Sequence, residues 1–166
     1  MAGLIEPNLH PIFVHFAIGL LFTASLATFV ATAGPDTPWR RSLQTAADWM
    51  LLFGWLAALA AVLAGFNAFH AVTQDDASHA ATHIHRNWAL ATFTAFSLLG
   101  GWRLFRRNSA PSLLFAIFLL AAAGLLTVTA WWGGRLVFHH GVGVERLPDP
   151  SAEADGHHHD GDDHHH

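Results

Sequence analysis

The chain has 166 residues, of which 52% are hydrophobic and only 12% charged, with seven tryptophans and a net charge of −4, a composition typical of an integral membrane protein. Cysteine, tyrosine and lysine do not occur, which excludes disulfides, thiolate metal sites, iron–sulfur clusters and covalently attached c-type haem. No basic run could follow a phosphate backbone, so nucleic acid is not an expected partner.

Four charge-poor segments predict four transmembrane helices, at about 11–33, 47–70, 84–105 and 111–133. Three of them lie in charge-free runs longer than the roughly 20 residues needed to cross a bilayer. The third run is shorter, but Arg86 and Arg103 at its ends can extend along the helix and place their guanidinium groups among lipid headgroups. The segments lack the alternating polarity of barrel strands, so the predicted fold is all-α. Residues 1–144 are expected to form one four-helix transmembrane bundle.

Polar and small residues within these segments have ordinary structural explanations. Asp48 is expected at the start of the second span, where its carboxylate meets the positive end of the helix dipole. Ala61 and Gly65 place small residues one turn apart, and this pattern is interpreted as a packing face and not as a site. Thr92 and Thr129 are interpreted in the same way, as hydroxyls that hydrogen-bond on their own helix or join neighbouring helices.

The arginine distribution predicts which loops are cytoplasmic. One side of the membrane receives Arg40, Arg41, Arg103, Arg106 and Arg107, and the other receives Arg86, Arg135 and Arg146. The positive-inside rule then places the first and third loops in the cytoplasm and both termini outside. Ala31-Thr32-Ala33 resembles a signal-peptide cleavage site, but no arginine precedes the apolar run and Glu6 does, so cleavage is not expected.

The C-terminal segment 145–166 differs from the rest of the chain. It contains seven acidic residues and six histidines, has low complexity, and is expected to be disordered and to bind divalent metals loosely. A purification tag is the alternative interpretation, but two histidine triplets separated by acids and glycine favour a native segment. The tail histidines are His157, His158, His159, His164, His165 and His166.

The eight histidines outside the tail are all predicted at one membrane surface. With four spans, the starts of the first and third helices meet the ends of the second and fourth. The histidines at these ends are His10, His15, His70, His79, His83, His85, His139 and His140. Neither arginine-rich loop contains a histidine, so a shared role is expected, and imidazole is a common ligand of zinc, copper, nickel and haem iron.

One histidine from each helix makes up the preferred cofactor site, because a cofactor held between helices needs ligands from several of them. The preferred set is His15, His70, His85 and His140. Secondary candidates for metal binding are His10, His79, His83 and His139, together with the tail. His79 and His83 are spaced i and i+4 and could clamp one ion. His10 precedes a proline and is expected in a cap or loop, with His15 as the first histidine inside the helix.

Haem b is a specific possibility for this surface. Aromatic residues near the histidines could wall a haem, and Arg86 and Arg135 are the expected partners of its propionates. The alternative interpretation is that tryptophan and arginine at helix ends are ordinary interfacial anchors. No hydrolase or transferase motif occurs, so catalysis beyond electron transfer is not expected.

Two stretches together resemble a known family. They are Asn8-Leu9-His10-Pro11-Ile12-Phe13-Val14-His15-Phe16 near the start and Gly133-Gly134-Arg135-Leu136-Val137-Phe138-His139-His140-Gly141-Val142-Gly143-Val144 at the end of the bundle. They resemble the DUF2231 family of bacterial membrane proteins over about residues 7–144. The resemblance implies a four-helix protein of the bacterial inner membrane with motif histidines at His10, His15 and His140, and a looser match at His85. It implies no reaction.

The sequence therefore predicts a multi-pass inner-membrane protein whose extracytoplasmic histidines bind haem b or a copper, zinc or nickel ion, for electron transfer. The expected partners are the lipid bilayer and a redox partner or membrane complex. Two alternatives remain open: a metal-transport or metal-sensing accessory protein, in which the tail captures ions, and a structural membrane subunit without cofactor.

Overall fold

A computed structural model of the chain describes the backbone at residues 9–71 and 76–140 and the side chains at residues 9–66 and 79–139. Four helices account for nearly all of this: α1 His10–Ala33, α2 Pro38–Ala71, α3 Asp76–Phe105 and α4 Leu113–His140. The described residues contain no strand. The predicted all-α four-helix bundle is confirmed, and the C-terminal tail lies outside the described residues.

Local sequence explains where the helices begin and end. Proline occupies the first turn of α1 and opens α2, where its missing N–H costs no helical hydrogen bond. Gly34 follows the last residue of α1, and Arg40 donates hydrogen bonds to the carbonyls of Ala31 and Thr32 at that end. Ser112 precedes α4, and its hydroxyl accepts a hydrogen bond from the Phe115 amide at 3.2 Å, as an N-cap does.

The helices form two hairpins that pack side by side. α1 packs most extensively against α2, and α3 against α4, while α1–α4 and α2–α3 contacts close the bundle. Within the described residues, no Cα atoms of the diagonal pair α1 and α3 lie within 8 Å of each other. The shared core is apolar and includes Leu21, Leu51, Phe96, Phe115 and Leu119. This arrangement brings the starts of α1 and α3 to the same end of the bundle.

Three helices, α1, α2 and α4, are long and apolar enough to cross a membrane. The transmembrane span predicted within α3 stays a prediction, but the position of α3 in the bundle supports it. His85 contacts α4 at one end of the bundle and Arg103 contacts α2 at the other. These residues are separated by about 27 Å of helix at 1.5 Å per residue, which is close to the hydrocarbon thickness of a bilayer.

The start of α2 differs from the expected one. α2 begins at Pro38, so Asp48 lies inside the helix, and the expectation that it meets the helix dipole at the first turn is wrong. Its carboxylate instead accepts two hydrogen bonds from the Arg103 guanidinium, each at 2.7 Å. Arg103 also donates to the carbonyls of Arg106 and Ser109 in the turn before α4. This bidentate salt bridge joins the two hairpins at the arginine-rich end of the bundle.

Candidate functional site

The first histidine of α1, His10, bonds to α2 and packs closely against it, a contact that we call a histidine joint. His10 is half-buried, and its Nδ1 is 2.7 Å from the carbonyl oxygen of Ala61. One turn further along α2, the ring lies against Gly65: a Cβ added there would be 3.1 Å from His10 Cε1. Glycine therefore provides the room for the imidazole between the two helices.

His85 forms the same kind of joint in the second hairpin. It is half-buried near the start of α3, and its Nδ1 is 3.1 Å from the carbonyl oxygen of Thr129 on α4. A Cβ added at Gly133, one turn beyond Thr129, would be 3.1 Å from His85 Cε1. The Thr129 hydroxyl is also 2.8 Å from that of Thr92, which fixes this part of α4 against α3.

The two joints are equivalent. In each hairpin, a histidine early in the first helix bonds to a backbone carbonyl of the second helix. The same histidine packs against the glycine that lies four residues after that carbonyl in the second helix. His10, Ala61 and Gly65 correspond in this way to His85, Thr129 and Gly133. The chain therefore builds one histidine environment twice and brings the two copies to the same end of the bundle.

The hydrogen bonds of these histidines fix their tautomers when the rings are neutral. A backbone carbonyl oxygen only accepts, so Nδ1 must carry the hydrogen in both joints. The lone pair of the neutral ring is then on Nε2. Metal-ligating histidines commonly have this arrangement, with the non-ligating N–H bonded to a backbone carbonyl or a carboxylate.

His15, which was preferred over His10 at the sequence level, lies elsewhere. It is exposed, and its Nδ1 donates to the Pro11 carbonyl of its own helix at 2.6 Å. Five residues correspond to a rotation of about 140° around a helix, so the two side chains cannot face the same neighbour. The expectation that His10 is a cap or loop residue is also wrong, because α1 begins at His10.

His79 and His83 form a second pair, one turn apart on α3. Their ring centroids are 4.5 Å apart and the ring planes are tilted by 58°. Partial desolvation, followed by the neighbouring charges of Arg86 and His79, lowers the pKa of His83 and favours its neutral form. His139 is exposed near the end of α4. The side chains of His70 and His140, and the six tail histidines, lie outside the described residues.

The two arginines expected beside a haem have different surroundings. The Arg135 guanidinium carbon lies 5.0 Å from the ring centroid of Trp131 and 5.2 Å from that of Trp132, at cation–π distance. Its Nε is buried and has no hydrogen-bond partner among the described residues. Arg86 is half-buried, with Nη2 3.5 Å from the side-chain oxygen of Asn87. Both arginines are thus on the histidine side of the bundle.

The described residues contain no group of three or more histidine, aspartate or glutamate side chains placed to hold a metal ion. Within the described residues, the candidate site therefore consists of pairs of histidines. Ligands from the ends of α2 and α4 remain predictions, because the His70 and His140 side chains are not described.

Sequence reasoning missed the small residues that complete the site. Gly65 is predicted from the sequence only as part of a packing face, yet it provides the room for the His10 ring. The structural role predicted for the Thr92 and Thr129 hydroxyls is confirmed, since they lie 2.8 Å apart. It is the backbone carbonyl of Thr129 that holds His85. The signal that could have found them is the repetition in the two hairpins of a glycine four residues after the carbonyl acceptor, opposite an early histidine. The histidine that each glycine contacts cannot be identified until it is known which helices pair.

A glycine comparison tests the second joint. We expect Gly133→Ala to displace the His85 ring and weaken its bond to Thr129, because the new methyl group would lie 3.1 Å from Cε1. Gly134→Ala is the matched control, since no atom lies within 4 Å of a Cβ there. The His85 ring signals in NMR spectra of detergent-solubilised protein should shift in Gly133→Ala only. Equal spectra for the two variants would contradict the described packing.

A known family of membrane proteins matches most of the chain. The DUF2231 family, described as a predicted membrane protein, matches residues 6–146 of the chain. The chain belongs to the DUF2231 family. The match covers all four helices of this DUF2231 protein and both histidine joints, and it leaves out most of the tail. No curated protein and no solved structure matches the chain.

Proposed function

We propose that this DUF2231 protein binds haem b or a transition-metal ion between its two hairpins, for electron transfer in the bacterial inner membrane. His10 and His85 are the proposed ligand pair. The observation that carries the proposal is their shared anchoring, in which Nδ1 donates to a carbonyl of the neighbouring helix and the lone pair remains on Nε2. Such anchoring orients a ligand before the cofactor binds and raises its basicity.

The position of the pair supports a bridging cofactor. His10 and His85 belong to the diagonal helices α1 and α3, whose backbones stay apart in the described residues. In helical bundles, cofactors are held in the core by side chains from facing helices. Two histidines would complete the ligation of a haem iron, whereas an ion such as copper would need further ligands. His70 and His140, predicted at the same surface, remain the candidates for that role.

The chemistry nearby is compatible with a haem. The buried Arg135 Nε, which has no hydrogen-bond partner among the described residues, is a donor that a propionate could use. Bound haem or copper would supply one-electron redox chemistry. The protein's part is to hold the half-buried imidazoles in one tautomer and to limit their exposure to water, two factors that set reduction potential.

Optical and elemental analysis tests the proposal. The tail histidines are themselves expected to bind metal, so the test uses a full-length protein, the tail-alanine variant, in which all six tail histidines are changed to alanine. The purified variant should show either a Soret band with sharp α and β bands after dithionite reduction, or stoichiometric copper, zinc or nickel. Haem or copper would support electron transfer, and zinc or nickel would favour metal handling. Absence of both would contradict the proposal and favour a structural subunit.

Sidedness is part of the proposal and can be measured directly, because the native chain has no cysteine. Ser109 lies exposed in the turn before α4, and Ala80 lies exposed near the start of α3. With both termini outside, a membrane-impermeant thiol reagent applied to intact cells should label Ala80→Cys and leave Ser109→Cys unlabelled. Labelling of both variants after lysis controls for accessibility. The reverse pattern would place the histidine surface in the cytoplasm.

A further inference from the structure

We infer that His79 and His83 form a second metal site, separate from the His10–His85 pair, which takes divalent copper, nickel or zinc from the aqueous phase. The pair lies near the start of α3, before the predicted span 84–105. His79 is exposed and His83 is half-buried, so ions can reach the pair from solvent.

The observed ring separation matches a shared ion. A metal–nitrogen bond of about 2.0–2.1 Å puts the centroids of two bound imidazoles roughly 4.5 Å apart at a right angle and roughly 5.2 Å apart at the tetrahedral angle. The measured distance is 4.5 Å, with the rings tilted by 58° and not stacked face to face. The two rings therefore lie at the centroid separation of imidazoles bound to one ion at a right angle.

The ligand set selects the class of ion. Two imidazoles with water or other oxygen ligands suit copper(II), nickel(II) and zinc, whereas calcium and magnesium prefer all-oxygen sites. Arg86 lies one turn beyond His83, near enough to interact with it electrostatically, and its positive charge opposes a bound cation. We therefore expect Arg86→Ala to tighten binding at this pair.

The test is a titration of the full-length tail-alanine variant with nickel or copper, in which isothermal calorimetry measures the binding. His79→Ala and His83→Ala should each weaken this binding step at least tenfold, and the double substitution should remove it. His15→Ala is the control, since His15 is an exposed histidine on α1 that bonds within its own helix. A titration unchanged by His79→Ala and His83→Ala, or equally changed by His15→Ala, would overturn the inference.

The same experiment separates this site from the proposed cofactor site. His10→Ala with His85→Ala should leave the His79–His83 binding step in place, and His79→Ala with His83→Ala should leave the cofactor in place. Loss of the cofactor together with the titratable step in either double variant would mean one shared site, and the separate assignment would be wrong. Circular dichroism of each variant checks that the helices are intact.

Discussion

Changing His10 or His85 to alanine is expected to remove the bound cofactor. Each substitution deletes a proposed ligand and leaves the partner imidazole without a bridging ion. Second-sphere changes around metal ligands typically cost 10–100-fold in affinity, and we expect the loss of a ligand to cost at least about 100-fold. Haem or metal content per chain, measured on purified protein in the tail-alanine background with His79 and His83 also changed to alanine, should fall to near zero.

Two controls make this result specific. His15→Ala should retain the cofactor, because His15 is exposed and bonds within its own helix. Free imidazole should partly restore the spectrum of His10→Ala and His85→Ala, since it can enter the space between the carbonyl acceptor and the glycine. Retention of the cofactor in both single variants would exclude the pair as ligands, and loss in His15→Ala would restore the sequence-based preference.

Breaking the salt bridge between Asp48 and Arg103 should give the largest loss of stability among the polar substitutions. Only 12% of the Arg103 side chain and 38% of the Asp48 side chain is exposed, and two hydrogen bonds of 2.7 Å join them. Hydrogen bonds to charged groups are worth more than neutral ones, so a double-mutant cycle should give a coupling of about 2 kcal/mol. Arg103→Ala should cost more than Asp48→Ala, because Arg103 also holds two carbonyls of the turn.

The matched control is the exposed pair Asp36 and Arg41, whose side chains are 70% and 80% exposed and whose charged atoms are 3.5 Å apart. Exposed ion pairs contribute little, so the same cycle there should give a coupling close to zero. Both coupling energies can be measured by denaturant unfolding in detergent micelles, with circular dichroism monitoring the loss of helix. Similar couplings for the two pairs would show that the Asp48–Arg103 contact does not hold the hairpins together.

The helix count and class followed from the sequence because long apolar runs between short polar turns leave few alternatives in a membrane. Helix starts were harder to predict. α2 begins at Pro38, well before its apolar run, since a helix can continue beyond the hydrocarbon wherever its backbone hydrogen bonds are satisfied. The prediction that Asp48 lies at the first turn of α2 was wrong for this reason. Its actual partner, Arg103, could not be identified because it is distant in sequence.

The histidine surface was predicted from topology alone, since an even number of spans assigns each helix end to a side. Which histidine faces inward was not predictable, because it depends on helix rotation. His10 and His15 lie in the same motif, yet His10 bonds to α2 and His15 bonds within its own helix. The supporting glycines were equally hidden, because a small residue becomes informative only once the side chain opposite it is known.

The most direct measurement of the central claim is cofactor stoichiometry in two full-length proteins that share the tail-alanine background and the substitutions His79→Ala and His83→Ala. One protein has both His10 and His85, and the other has both changed to alanine. Haem absorbance and elemental analysis should give one cofactor per chain in the first protein and none in the second, with equal helical content by circular dichroism. Equal cofactor content in the two proteins, or none in either, would contradict the claim that this bundle holds a cofactor between its paired histidines.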